Sequence, residues 1–266
     1  MEIAISTASL NPSTPAALAR AQSLGFRQVE INLQPEELGY DYKRKTNARF
    51  YRGLARTLAE QKLSVWSTTT PPLTQQQMFS ARARKDILMS SAIAAGLVGS
   101  RVFVASGLDV FRDEDLVDAY FERGLSPPVV EGFDEAWVQA VNRRVAMAIR
   151  NEDFWIGLPL LNRPDRLDKV STDLAIGVAF DPRQALRRGE MDAWLAKVGD
   201  RVAVAYLYDE SAEGQRCAPL SEEWRSWLAA LAQTRLKTVV LVAHPDQSDA
   251  EISQSRDFIA GILQEL

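Results

Sequence analysis

The residues of this chain best suited to chemistry are polar side chains set inside or at the ends of short apolar runs. Glu30 sits within QVEINL, Asp181 closes AIGVAFDPRQ, and His244, the single histidine, follows TVVLV. A carboxylate beside a proton donor can move a proton, and a second carboxylate nearby raises its proton affinity. Glu30 or Asp181 as base, with His244 or Tyr206 as acid, is the pairing these residue types allow. Arg163 and Arg183 carry forked donors suited to a phosphate or carboxylate. Trp66 offers a flat apolar face, and Asn162 and Asp209 complete the polar set.

Each of these has a plainer alternative. Glu30 could accept hydrogen bonds from a loop or pair with an arginine inside the core. Asp181, which precedes Pro182, could cap the following helix. Asp209 could cap a turn, and Asn162 could satisfy loop backbone. His244, followed by Pro245, could make one backbone bond at a rim. Tyr206 and Trp66 could simply fill space, and the arginines could be solvated or ion-paired.

The totals exclude several classes. With 266 residues, 46% hydrophobic and 25% charged, the chain suits one large domain spanning 1–266. A net charge of −4 provides no basic stripe for a phosphate backbone, so nucleic acid is not an expected partner. One cysteine, Cys217, excludes an internal disulfide framework and fits a reducing compartment. The start, MEIAIST, lacks the pattern of a secretory signal, and no run reaches the roughly 18 apolar residues of a membrane span. A cytoplasmic protein is expected, with a homo-oligomer left open. There is no phosphate-binding loop, dinucleotide fingerprint, HExxH, CxxC or G-x-S-x-G elbow.

The elements that must position these side chains alternate. Strands are expected at Ile3–Thr7, Gln28–Leu33, Leu63–Thr69, Arg101–Ser106, Phe154–Leu160, Ala175–Phe180, Arg201–Tyr206 and Thr238–Val242. Helices are expected between them: Pro15–Leu24 with Thr14 as cap, Asn47–Gln61, Ala81–Ala95 ended by Gly96, Asp134–Arg150, Pro182–Arg188, Met191–Val198, Ser221–Ala232 and Ser248–Leu266. A long loop, 108–132, follows the fourth strand. Strand–helix alternation implies a parallel sheet, and eight units in this length match a closed eight-stranded (β/α)8 TIM barrel. Its functional side chains would gather at the C-terminal strand ends.

On this frame the chain resembles the xylose-isomerase-like TIM barrels, the sugar phosphate isomerase/epimerase group. The resemblance is carried by ALARAQSLGFRQVEINLQ (17–34), GLARTLAEQKLSVWSTTTP (53–71), AAGLVGSRVFVASG (94–107) and AFDP (179–182). It implies a carbohydrate-type ligand at the barrel mouth, with Trp66 able to stack on a sugar face. It also implies a divalent metal held by a Glu at strand 5, an Asp at strand 6, a His at strand 7 and a Glu at strand 8. In the LPLLNRPD stretch, Leu161 stands at the glutamate position, Asn162 is kept and Arg163 replaces a histidine. Asp181 matches the aspartate, but Gln184 replaces the histidine after it. In VAYLYD, Tyr206 takes the ligand position, Tyr208 the lysine position, and Asp209 is kept. The histidines after strands 3 and 4 become Thr69 or a neighbour and Ser106. Strand 8 offers His244 and no glutamate. A hard cation needs several converging oxygen or imidazole donors, so no metal and no other cofactor is expected. Replacement ligands would have to come from Asp109, Asp113, Glu114 or Glu131. The expected activity is that of a divergent, metal-independent isomerase or epimerase. The alternative is an inactive descendant that binds a small ligand or a protein partner.

Overall fold

The structure is a computed structural model that describes residues 1–11, 13–34, 47–71, 73–109, 133–151, 153–154, 176–210, 216–217 and 222–266. Eight strands among these close into a parallel barrel: β1 (Glu2–Ser6), β2 (Gln28–Asn32), β3 (Ser64–Thr69), β4 (Val102–Ala105), β5 (Ala146–Arg150), β6 (Ile176–Phe180), β7 (Val202–Leu207) and β8 (Thr238–Leu241). Each strand pairs with its sequence neighbours, and β1 closes the ring on β8. The helices lie between them: α1 (Thr14–Ser23), α2 (Ala48–Glu60), α3 (Gln75–Phe79), α4 (Ala81–Leu97), α5 (Phe133–Val141), α6 (Arg183–Arg188), α7 (Met191–Val198), α8 (Trp224–Ala232) and α9 (Asp249–Glu265). This is the (β/α)8 TIM barrel that the strand–helix alternation predicts.

Strand alternation sorts the core into an outer shell and an inner stack. Val29, Ile31, Val178, Phe180, Ala205 and Leu207 face outward onto the helices. Ala4, Val102, Val104, Ala148, Ala179, Val204, Tyr206, Tyr208 and Val240 meet inside the barrel. Two single-residue bulges break the alternation. Val29 pairs with Val65 but Glu30 with Ser67, which leaves Trp66 as an extra residue in β3. Trp66 packs into the inner stack while Ser67 reaches Glu30, so two consecutive residues point inward. Ala203 plays the same part in β7, between the Val178–Val202 and Ala179–Val204 pairs. Gly177 makes room for it, because a Cβ there would lie 2.9 Å from the Ala203 Cβ.

The fifth strand differs from the expectation. Residues 134–150 read as one helix because Ala, Val, Gln, Met and Arg all suit a helix. The chain instead leaves α5 at Val141 and enters β5 at Ala146. The stop is a Schellman turn: Val145 N–H donates to Ala140 C=O, Arg144 N–H donates to Val141 C=O, and Arg144 takes the left-handed φ of 60°. Glycine usually fills that position, so an arginine there hides the helix end. The expected strand Phe154–Leu160 is therefore not the fifth barrel strand. Asp153–Phe154 pairs instead with Leu108–Asp109 in a small antiparallel ribbon, and 155–160 lie outside the described residues. Smaller shifts are of the same kind. Helix α4 runs on to Leu97 and turns at Gly99 rather than stopping at Gly96, and Ser13 rather than Thr14 caps α1. Among the described residues no helix is long and apolar enough to cross a membrane.

Candidate active site at the barrel mouth

Two buried carboxylates organise the C-terminal half of the barrel interior. Glu30 comes from β2, on the face opposite Val29 and Ile31. Its Oε2 accepts hydrogen bonds from the Ser67 hydroxyl at 2.8 Å and the Tyr206 phenol at 2.9 Å. Its Oε1 has only a long contact, 3.4 Å, from the Asn32 amide. Asn32 is itself fixed, since its Oδ1 accepts from Ser6, Thr7 and the Ala8 N–H. Every partner of Glu30 is neutral, and its Oε1 is the less engaged oxygen.

Asp181 follows β6 and is 1% exposed. Its Oδ1 accepts from the Tyr208 phenol and from Arg183 N–H at 3.3 Å. Its backbone is clamped by Asn151, which accepts from Asp181 N–H at 2.6 Å and donates to Asp181 C=O at 3.1 Å. Arg150, the last residue of β5, brings its Nε to 4.0 Å from Asp181 Oδ2. The Arg150 guanidinium carbon lies 5.0 Å from the centre of the Tyr206 ring.

Tyr206 joins the two halves, donating to Glu30 while lying against Arg150. Burial pushes its phenol well above the ordinary tyrosine value, and the charge of Glu30 pushes it further, while Arg150 and Thr69 pull it partly back. Tyr206 therefore stays protonated and acts as a fixed donor. For Arg150, burial disfavours the charge, but Tyr206, Asp153 and Asp181 outweigh it and hold the guanidinium well above its usual range. It remains a permanent cation inside the barrel.

The other expected residues fall elsewhere. Trp66 is not at the mouth. It stands early in β3, turned inward by the bulge, where it borders a cavity of about 730 Å³ at the N-terminal strand ends, with Gln28, Ser64, Arg101 and Thr238. Asp209 accepts from the Trp224 indole N–H at 2.8 Å, turned toward α8. Arg183 pairs with Glu210 at 3.3 Å, which also holds Arg187 at 2.8 Å. His244 has a side chain 29% exposed, and its Nδ1 accepts from Asp246 N–H within its own loop. Leu161, Asn162, Arg163, Asp113, Glu114 and Glu131 lie outside the described residues. Sequence reasoning missed Arg150, Asn151, Ser67 and Asn32. Asn32 carried a usable signal, because polar residues at 30 and 32 share one face of a buried strand.

The sequence matches no protein-family model and no curated protein. Solved structures do match in three dimensions. A D-tagatose 3-epimerase-like protein superposes with a TM-score of 0.73 at 14% identity, covering 100% of this chain and 98% of its own. The chain has the fold of the xylose-isomerase-like barrels. A D-psicose 3-epimerase from Clostridium cellulolyticum H10, solved with D-tagatose, gives a TM-score of 0.70 at 14% identity and 99% coverage of both chains. A xylose isomerase domain protein from Alicyclobacillus acidocaldarius subsp. acidocaldarius gives 0.68 at 14% identity, covering 99% of this chain and 98% of that one.

The resemblance to these barrels implies a divalent metal at the mouth, and the donors among the described residues do not fit one. Among the described residues no three of His, Cys, Asp and Glu come close enough together to hold a metal ion. The fifth strand ends at Arg150, which displaces Leu161 from the glutamate position expected for it and sets a guanidinium there, and the Asp181 carboxylate beside it is engaged by Tyr208.

Proposed function

We propose that the chain binds a small carbohydrate-type ligand at the C-terminal mouth of the barrel and moves a proton on it in an isomerase or epimerase type of reaction, without a divalent metal. The observation that carries this reading is the convergence of Glu30 and Asp181 on one interior, joined through Tyr206 and Arg150. The solved barrels of like fold are named for D-tagatose, D-psicose and xylose, which supports a carbohydrate as the class of ligand.

The chemistry follows from the lone pairs. Glu30 Oε1 takes a proton from a carbon next to a carbonyl. The C–H electron pair becomes a C=C bond, and the carbonyl π pair moves onto oxygen. Return of a proton to the opposite face inverts that carbon; return to the former carbonyl carbon, with the hydroxyl on the deprotonated carbon passing its proton to the enolate oxygen, shifts the carbonyl. Tyr206 and Ser67 hold Oε2, so the carboxylate keeps one orientation through the transfer. Asp181 stands as the second group able to carry a proton.

Incubating the protein with D-tagatose or D-fructose in D2O and following C–H exchange by proton NMR tests this. Exchange that disappears in Glu30→Gln, with the fold unchanged by circular dichroism, is the expected result. Binding of the sugar without exchange would replace the enzyme by a ligand-binding barrel. Neither binding nor exchange with any ketose or ketose phosphate would overturn the proposal.

A further inference from the structure

We propose that Arg150 is a built-in cation at the barrel mouth, occupying the place and electrostatic task of a divalent metal, and that with Ser106 it forms the donor pair for a carbonyl or enolate oxygen of the ligand. The proposal rests on the proton-transfer reading above and names the electrophile of that site.

Three observations carry it. Arg150 ends β5 next to Asp181, the one expected metal ligand that the described residues retain. A guanidinium at this point neutralises the carboxylate that a cation would use and repels a cation that approaches. Second, donor capacity is left over. Arg150 Nε is buried without a hydrogen-bond partner, and so is the Ser106 hydroxyl. Buried donors are rarely left unpaired unless a ligand or water completes them. Third, the two are neighbours. The β4–β5 register runs Val104 to Ala148 and Ala105 to Ile149, so the next step sets Ser106 beside Arg150. Both continue the inward face that Val104 and Ala148 define. The Arg150 side chain keeps 16% of its surface open.

The arrangement is aimed. When the carbonyl π pair moves onto oxygen, the new negative charge needs donors already in place. Asp181, at 4.0 Å, and the Tyr206 ring beneath hold the fork, so little reorganisation is needed. The same set selects its ligand. Arg150 has Asp181 and Asp153 as neighbours in its electrostatic surroundings. The hydroxyls flanking a neutral carbonyl can donate to these acids while the carbonyl oxygen accepts from the fork.

The test uses two independent readings. Mn2+ binding is measured by titration calorimetry on the full-length protein, on Arg150→Glu and on Arg150→Gln, with folding checked by circular dichroism. The wild type should bind Mn2+ at least tenfold more weakly than Arg150→Glu. Should that variant fail to fold, Arg150→Gln should still bind at least threefold more tightly than wild type, because the charge that excludes the ion is gone. Wild-type binding as tight as in the variants would overturn the proposal. The second reading is D-tagatose affinity by tryptophan fluorescence. Arg150→Gln and Ser106→Ala should each weaken it, by about tenfold and about threefold, with Arg150→Lys in between. Unchanged affinity in Arg150→Gln would show that the fork does not hold the ligand. Wild type that fails to bind any sugar would sink the carbohydrate reading while the Mn2+ result still decides the built-in cation.

Discussion

At the floor of the barrel Trp66, Ala203 and Val102 close the interior with apolar atoms, while a few residues further along the same strands the mouth carries Glu30, Arg150, Asp181 and two phenols. The floor is stabilised by area removed from water and by packing. The mouth is costly, because each buried charge gives up its hydration and recovers it only through placed partners. Bulges make the floor compact by turning an extra residue inward. The mouth is ordered instead by hydrogen bonds that cross the barrel, such as the one between Tyr206 of β7 and Glu30 of β2. One scaffold thus keeps its stability at one end and spends part of it on directed charge at the other.

The strongest way to break this contrast is to remove a charge. Asp181→Ala leaves Arg150 without one of its two carboxylate neighbours and removes an acceptor of the Tyr208 phenol, and should cost about 4 kcal/mol in urea unfolding. Adding Arg150→Met should recover a large part of that loss, because removing both members of a buried pair is far less harmful than removing one. At the floor, Trp66→Ala should cost about 3 kcal/mol through the cavity it leaves, with no recovery from a second substitution at the mouth. Tyr206→Phe should cost about 1–2 kcal/mol by leaving Glu30 one donor short.

The same variant sharpens the electrostatic side. The folded-state value of the Tyr206 phenol lies above that of the unfolded chain. Its contribution is complete below about pH 10, the ordinary tyrosine value, and is lost as pH rises from there toward the folded value. Stability curves between pH 8 and 11.5 should fall less steeply above pH 10 in Tyr206→Phe, by up to one proton. The smallest effect belongs to His244→Ala, whose side chain bonds only within its own loop. It should change stability by less than about 0.5 kcal/mol.

Glu30 and Asp181 were legible because a charged residue inside or closing an apolar strand stands out in any buried sheet. So was the closed barrel, since alternation alone fixes strand order once eight units are counted. Arg150 was hidden by a local matter: the helix before it stops on Arg144 in a conformation that glycine usually marks, so the fifth strand was sought after it rather than through it. Trp66 was misplaced because it stands early in β3, and because a bulge leaves no trace in a run such as LSVWSTT although one extra residue decides which side chains turn inward. Ser67 escaped notice for the same reason.

The extra residue in β3 has a consequence for how this barrel can change. Val65 below it and Ser67 above it are two apart, yet they face opposite sides, Val65 toward the helices and Ser67 toward Glu30. Deleting Trp66 would restore plain alternation with Val65 still outward and Ser67 still inward opposite Glu30, so the lining of the mouth would be kept and only the inward indole of the floor lost. The bulge thus uncouples the two ends of β3: a residue can be gained or lost at the floor without turning over the side chains that the strand presents at the mouth.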